Sequence, residues 1–147
     1  MLLEGEKAPY FEGKDQNGNT VKLTDFKGKK LVLYFYPKDS TPGCTAEACD
    51  LRDNYERFIA NGYAVVGVSK DSEKSHLKFI EKYSLPFPLI ADTDTKILQD
   101  YGCWGLKKFM GREYMGAIRK TFIIDEYGDI EKIIAKVDTK NHTSQIL

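Results

Sequence analysis

The fold of this chain is decided around one stretch, Pro37-Lys38-Asp39-Ser40-Thr41-Pro42-Gly43-Cys44-Thr45-Ala46-Glu47-Ala48-Cys49. The segment before it, Leu31 to Tyr36, is apolar and rich in the residue types that favour strands. The apolar residues after it recur at the spacing of one helix face: Leu51, Tyr55, Phe58 and Ile59. Cys44 is therefore predicted to lie where a strand passes into a helix, and we expect that helix to end at Asn61-Gly62.

The first turn of a helix is a favourable position for a reactive cysteine. Its first N–H groups have no partner within the helix, and the helix dipole is positive there, so both features stabilise a thiolate. Pro37 and Pro42 restrict the backbone of the preceding loop. Thr41 lies three residues before Cys44, and its position fits two interpretations equally well. Its hydroxyl either caps the helix or points into the same space as the sulfur.

The pattern P-x-x-x-T-x-x-C, formed by Pro37, Thr41 and Cys44, resembles the active-site signature of the peroxiredoxins. A second cysteine five residues later, Cys49, resembles the peroxiredoxin Q branch of that family, also called bacterioferritin comigratory protein. The resemblance extends over nearly the whole chain, from residues 5–9 to 119–125. It implies an α/β, thioredoxin-like fold, in which helices flank a central mixed β-sheet and a β-hairpin forms an N-terminal extension.

The resemblance also implies a role for each site residue. The Cys44 thiolate would attack a peroxide oxygen and become a sulfenic acid, and Cys49 would resolve that acid to an intramolecular disulfide. Thr41 and Arg119 would stabilise the leaving oxygen, and Pro37 belongs to the same signature. Arg119 is identified through the motif R-x-T-F before an apolar strand; without that motif, a solvated surface arginine is the ordinary interpretation.

Helix geometry separates the two cysteines of the stretch. Five residues along a helix rise about 7.5 Å and turn the second side chain to another face, whereas a disulfide requires Cα atoms about 4.4–6.8 Å apart. If both residues share one helix, its first turns must unwind before Cys44 and Cys49 can bond. The alternative interpretation of Cys49 is a small apolar residue on the core side of the helix.

The remaining sequence predicts alternating strands and helices. They are a hairpin turned at residues 17–19, a strand at 64–69, a helix from Asp71 or Ser72 to about Tyr83, a strand at 89–91, a short helix ending at Tyr101, strands at 118–124 and 130–137, and a last helix starting at Thr139 or Asn141. We expect residues 102–116 to form an irregular loop whose aromatic side chains pack beside the active site or in the core. His76 is expected at the surface, and Cys103 is expected to be structural.

Composition limits the other possibilities. The length of 147 residues suits a single domain over residues 1–147, and 22 basic against 22 acidic residues give no preference for nucleic acid or an anionic membrane. No apolar run approaches the roughly 18 residues of a membrane span, and no signal peptide is recognisable. Three cysteines form no disulfide framework, which favours a reducing compartment or catalytic thiols, and we expect a cytoplasmic protein. Their spacing also matches no zinc site.

The resemblance implies hydrogen peroxide and organic hydroperoxides as substrates, and thioredoxin or a similar dithiol protein as the reductant. We expect a monomer without a bound cofactor. Two other functions remain open. A thioredoxin-like disulfide oxidoreductase is disfavoured because its C-x-x-C motif is absent, and a thiol redox sensor would form the same disulfide but would not turn over peroxide.

Overall fold

The apolar segment before the quoted stretch forms the central strand of the structure. The computed structural model describes residues 1–147, and this strand runs over Lys30–Phe35. Its side chains alternate between two separate cores. Leu31, Leu33 and Phe35 contribute to one core, while Val32 and Tyr34 contribute to the other. A strand buried on both faces is typical of a sheet that helices cover on both sides.

The nine strands are β1 Glu12–Lys14, β2 Thr20–Lys22, β3 Lys30–Phe35, β4 Tyr63–Ser69, β5 Leu89–Ala91, β6 Trp104–Phe109, β7 Arg112–Ala117, β8 Lys120–Ile124 and β9 Ile130–Ile134. Seven of them form one sheet in the order β2-β1-β5-β4-β3-β8-β9. β3, β4 and β5 run parallel to one another, and the other neighbours are antiparallel. The predicted mixed sheet and the N-terminal hairpin are therefore both present.

The helices are α1 Pro42–Asp53, α2 Tyr55–Ala60, α3 Glu73–Tyr83, α4 Lys96–Asp100 and α5 His142–Ile146, with a short 3-10 helix at Leu23–Phe26. The predicted single helix from Cys44 to Asn61 is wrong, because the helix is interrupted at Asn54, which separates α1 from α2. The Asn54 side-chain amide donates to the Asp50 carbonyl at 2.8 Å. This local bond competes with a continuous helix, as asparagine side chains often do. None of the helices combines the length and apolarity that crossing a bilayer requires.

The predicted irregular loop over residues 102–116 is also wrong. β6 and β7 form a two-stranded antiparallel hairpin, and Met110 and Gly111 turn it with φ of 51° and 78°. Of its aromatic side chains, Phe109 and Tyr114 are 66% and 47% exposed, whereas Trp104 packs against the core, which is the second of the two expected arrangements. The turn has positive φ at both central residues, the conformation typical of tight hairpins. Methionine gives no sequence signal for such a conformation.

The C-terminal helix is attached to the helix that carries Cys44. The backbone N–H and the hydroxyl of Thr143 both donate to one carboxylate oxygen of Asp50, at 2.7 and 2.8 Å. Ile146 packs against the core on the same side of the sheet as α1. α5 is short for an independently stable helix, so its stability depends on this attachment.

We predict that Thr143→Val lowers the free energy of unfolding by about 1–2 kcal/mol, since it removes a hydrogen bond to a charged group without changing the shape of the side chain. Urea unfolding of the reduced protein measures the effect. Ser144→Ala is the matched control on the exposed side of α5, and it should change the unfolding free energy by less than about 0.5 kcal/mol. Equal effects of the two substitutions would contradict the attachment.

Candidate active site

The strand-to-helix junction positions Cys44 as the sequence predicts. β3 ends at Phe35, and α1 begins at Pro42, whose fixed φ and missing N–H suit the first position of a helix. Cys44 is the third residue of α1 and is 1% exposed. Its thiol therefore lies among the first, unpaired N–H groups of the helix, at a position shielded from water.

Thr41 occupies the N-cap position, but its side chain makes no cap hydrogen bond. The hydroxyl instead donates to the Lys38 carbonyl at 2.8 Å. Between them, Ser40 has a φ of 63°, a backbone conformation that residues other than glycine rarely adopt. The hydroxyl of Thr41 thus closes the sharp turn that leads into α1.

Sheet pairing brings Arg119 to Cys44 across 75 residues of chain. Lys120, the first residue of β8, pairs with Phe35, the last residue of β3, so the residue before β8 reaches the start of α1. The guanidinium of Arg119 donates to the Cys44 sulfur at 3.2 Å. A Cβ on Gly43 would lie 3.2 Å from the same Arg119 nitrogen, so a glycine at this position leaves room for the guanidinium.

Glu47 holds the other side of the Arg119 guanidinium. One of its carboxylate oxygens accepts from Arg119 at 2.7 Å, and its side chain is fully buried. Burial raises the pKa of Glu47 to about 7, although the charge of Arg119 acts to lower it. Glu47 is not among the site residues predicted from the sequence. Its spacing of three residues from Cys44 is the signal for it, because that spacing puts both side chains on one helix face.

The second oxygen of Glu47 has no hydrogen-bond partner and lies 3.5 Å from Nε2 of His142. The His142 ring is buried between Thr121, 2.8 Å from Nε2, and Gln145, 2.7 Å from Nδ1. Burial lowers the pKa of His142, which favours the neutral imidazole. α5 therefore covers Glu47 on the side away from Arg119, a contact that nothing in the sequence near Cys44 indicates.

The other two cysteines differ sharply in environment. Cys49 lies in α1 with Cys44, and both thiols are free, so the two residues share one helix in the reduced protein. Cys49 is partly buried. Cys103 is fully buried, and burial raises the pKa of its thiol to about 12. A thiol with so high a pKa is not a nucleophile near neutral pH.

The prediction that His76 lies at the surface is wrong. It is fully buried, with Nδ1 2.7 Å from a carboxylate oxygen of Asp39 and Nε2 2.9 Å from the carbonyl oxygen of Ile90. Ligand atoms of Asp39, Asp71 and His76 lie within 4.8 Å of one another. They are hydrogen-bonded to each other and to neighbouring groups, so the cluster is already satisfied without an ion.

The geometry is that of a buried thiol under a cation. Arg119 and the first N–H groups of α1 stabilise negative charge on the Cys44 sulfur, and Glu47 orients the guanidinium fork. Such a site promotes nucleophilic attack by sulfur and stabilises charge on a leaving group beside it.

Comparison with known proteins agrees with this geometry. A model of the AhpC/TSA family matches residues 5–133 of the chain. Peroxiredoxin Bcp of Bacillus subtilis is 51% identical to it over 148 residues, which cover 100% of this chain and 94% of that protein.

Two solved structures have the same fold. A variant of PrxQ from Xylella fastidiosa superposes with a TM-score of 0.93 and 28% identity, over 99% of this chain and 93% of that one. The bacterioferritin comigratory protein of Xanthomonas campestris, studied for its alkyl peroxide reduction activity, superposes with a TM-score of 0.87 and 33% identity, over 92% of this chain and 87% of that one. The expected thioredoxin-like fold and the resemblance to the peroxiredoxin Q branch are both confirmed.

The raised pKa of Glu47 predicts a distinctive pH dependence of stability. Folding raises this pKa from 4.5 to about 7, so the folded state favours the protonated carboxyl group. The stabilisation that Glu47 gives the folded state is therefore fully present below pH 4.5 and is lost as the pH rises through 7. Relative to Glu47→Gln, which does not titrate, the parent should lose roughly 3 kcal/mol of unfolding free energy across this window. Urea unfolding of reduced parent and variant from pH 4.5 to 8 measures the difference.

The matched control is Glu56→Gln, which changes an exposed glutamate on α2. Its pH profile should run parallel to that of the parent. A Glu47→Gln profile that also runs parallel to the parent would show that Glu47 titrates as an ordinary carboxyl group.

Proposed function

The chain belongs to the AhpC/TSA family, and on that premise we propose that Cys44 is the residue that its peroxide substrates oxidise. The protein is a peroxiredoxin, and therefore a thiol-dependent peroxidase. The observation that carries the assignment to Cys44 is the 3.2 Å hydrogen bond from Arg119 to its sulfur. No positively charged side chain donates a hydrogen bond to the sulfur of Cys49 or Cys103.

In the proposed peroxide step, the Cys44 thiolate attacks the terminal oxygen of a hydroperoxide. A sulfur–oxygen bond forms as the oxygen–oxygen bond breaks, so sulfur is oxidised to a sulfenic acid and the peroxide is reduced. The second oxygen leaves as hydroxide or alkoxide and takes a proton to become water or an alcohol. Arg119 and the Cys44 N–H stabilise the charge on the leaving oxygen, and the Thr41 hydroxyl joins them when it turns from the Lys38 carbonyl toward the bound peroxide.

Hydrogen peroxide and organic hydroperoxides are the proposed substrates. The attacked end of both molecules is the same hydroxyl group, so the contacts around Cys44 need not distinguish them. The alkyl peroxide reduction studied for the Xanthomonas campestris relative supports including organic hydroperoxides. Pro37 contributes by limiting the conformations of the loop that bounds the site.

In the proposed resolution step, the Cys49 sulfur attacks the sulfur of the Cys44 sulfenic acid. A disulfide forms and water leaves, so no further oxidant is needed. Because both residues lie in α1, the first turns of this helix must unwind, breaking the bonds that Glu47 makes to Arg119 and that Asp50 makes to Thr143. Local openings of this kind require less free energy than global unfolding.

The proposed reductant is thioredoxin or a similar dithiol protein, which transfers two electrons to the disulfide and restores both thiols. The whole chain acts in this scheme as one catalytic domain and as a monomer, since every residue with a role comes from a single copy. The cytoplasm is the proposed compartment, because dithiol reductants are kept reduced there. Thiols supply all the electrons, so the scheme requires no bound cofactor.

We predict that Cys49→Ser separates the two steps. The variant should react once with peroxide at close to the parent rate, because resolution follows the chemical step. It should then fail to turn over in a coupled assay with thioredoxin and excess peroxide, while mass spectrometry finds sulfenic or sulfinic acid on Cys44. An intact Cys44 thiol after stoichiometric peroxide would contradict the assignment.

Cys44→Ser and Cys103→Ala are the matched controls. Cys44→Ser should abolish the reaction, because a serine hydroxyl is not ionised near neutral pH. Cys103→Ala should keep both steps. A parent protein that forms the disulfide but does not turn over peroxide with thioredoxin in excess would indicate a redox sensor.

A further inference from the structure

A buried polar cluster lies directly behind the loop that leads to Cys44. At its centre is the carboxylate of Asp39, which is part of that loop and whose side chain is only 4% exposed. One carboxylate oxygen accepts from the Tyr36 hydroxyl at 2.6 Å. The other accepts from the Ser75 hydroxyl at 2.8 Å and lies 2.7 Å from Nδ1 of His76.

The His76 ring has hydrogen-bond partners at both nitrogens. Nε2 lies 2.9 Å from the carbonyl oxygen of Ile90, which can only accept a hydrogen bond, so this nitrogen is the donor. Nδ1 lies 2.7 Å from the Asp39 carboxylate and 3.4 Å from the Tyr36 hydroxyl. Asp39 and His76 thus form a fully buried, hydrogen-bonded pair.

The backbone of Asp39 is fixed as well as its side chain. Its N–H donates at 3.0 Å to a carboxylate oxygen of Asp71, which also accepts from the Ser69 hydroxyl at 2.6 Å. Asp39 is thus held against the end of β4 and the first turn of α3. The next residue, Ser40, has a positive φ of 63°, and Thr41 follows it as the N-cap of α1. The position of Asp39 therefore sets the point from which α1 starts.

We propose that Asp39 and His76 are a positioning pair for the peroxide step, which holds the loop before α1 stationary. The inference rests on the proposed role of Cys44. The pair touches neither the sulfur nor the guanidinium; it acts by fixing where the Thr41 hydroxyl and the first N–H groups of α1 lie.

The pair also sets a limit to the opening of α1. When residues 41–50 unwind for disulfide formation, the loop would follow only if the hydrogen bond between Asp39 and His76 broke. Separating the pair would leave buried polar groups without partners, which is strongly unfavourable. The loop therefore remains in its reduced-state position, and α1 refolds from it once the disulfide is reduced.

The test compares Asp39→Asn, His76→Gln and the double variant in single-turnover oxidation by peroxide. Each single variant should slow oxidation of the Cys44 thiolate roughly 10- to 100-fold, since a displacement of about 1 Å remote from the chemistry is worth up to about 10² in rate. The rate at which a preformed sulfenic acid converts to the disulfide should not fall. The double variant should be no slower than the slower single variant, because the two residues act as a unit.

A role confined to stability predicts a different result. The variants would then unfold more easily but would oxidise at the parent rate while folded, and that result would overturn the proposal. Asp92→Asn is the matched control, because Asp92 is another buried carboxylate, which accepts from the backbone N–H groups of Ile97 and Leu98 instead. It should lower stability and leave the oxidation rate unchanged.

Two further measurements keep the proposal testable if Asp39→Asn does not fold. Tyr36→Phe removes a single bond to Asp39 and should slow oxidation several-fold without affecting resolution; an unchanged oxidation rate counts against the proposal. Proton spectra of the parent should show a ring N–H of His76 that exchanges slowly with water, because both ring nitrogens have buried hydrogen-bond partners. The loss of this signal in His76→Gln assigns it. A His76 ring N–H that exchanges as fast as that of an exposed histidine would contradict the buried pair and, with it, the proposal.

The failures of the two proposals are distinguishable. If peroxide turnover survives in Cys44→Ser, the proposed function itself is wrong. If the reaction depends on Cys44 and the Asp39 and His76 variants oxidise at the parent rate, only the positioning pair is wrong.

Discussion

The structure depends above all on the fork of the Arg119 guanidinium, which joins the Cys44 sulfur to the Glu47 carboxylate. The planar guanidinium has donors at fixed angles, so satisfying both partners defines its orientation. The antiparallel pairing of β8 with β3 brings Arg119 to this point, and Gly43 leaves space for it. The sheet therefore provides the cation and α1 provides the sulfur, so neither element makes the site alone.

Helix α1 has two requirements that conflict. The reduced site needs a folded first turn, because its N–H groups and Glu47 stabilise the charges around Cys44. The proposed disulfide with Cys49 needs the same turn unwound, because a helix keeps the two residues too far apart. The side-chain hydrogen bonds that hold the segment join Arg119 to Glu47 and to Cys44, and Thr143 to Asp50. Of the core residues, the segment contributes only the small side chains of Cys44 and Ala48, so its opening exposes no large apolar side chain of its own.

The sequence predicts the parts of this site that are local. The apolar run of β3 and the proline at the start of α1 are sufficient to place Cys44 at a strand-to-helix junction. Arg119 requires the family resemblance, since its approach to Cys44 depends on pairing between distant strands. Glu47, His76 and His142 are missed because a buried polar side chain is identified by its partners, and those partners lie far along the chain or on α5. The β6–β7 hairpin is missed because its turn has a methionine at positive φ.

The central claim is that α1 both forms the thiolate site and opens to resolve it. Amide hydrogen exchange of the reduced and disulfide forms tests it most directly, with peroxide-treated Cys49→Ser as a control that cannot form the disulfide. The account predicts that residues 41–50 lose protection in the disulfide form only, while β3 and β4 remain protected in all three samples. Equal protection of residues 41–50 in the reduced and disulfide forms would show that Cys49 reaches Cys44 without unwinding of the helix.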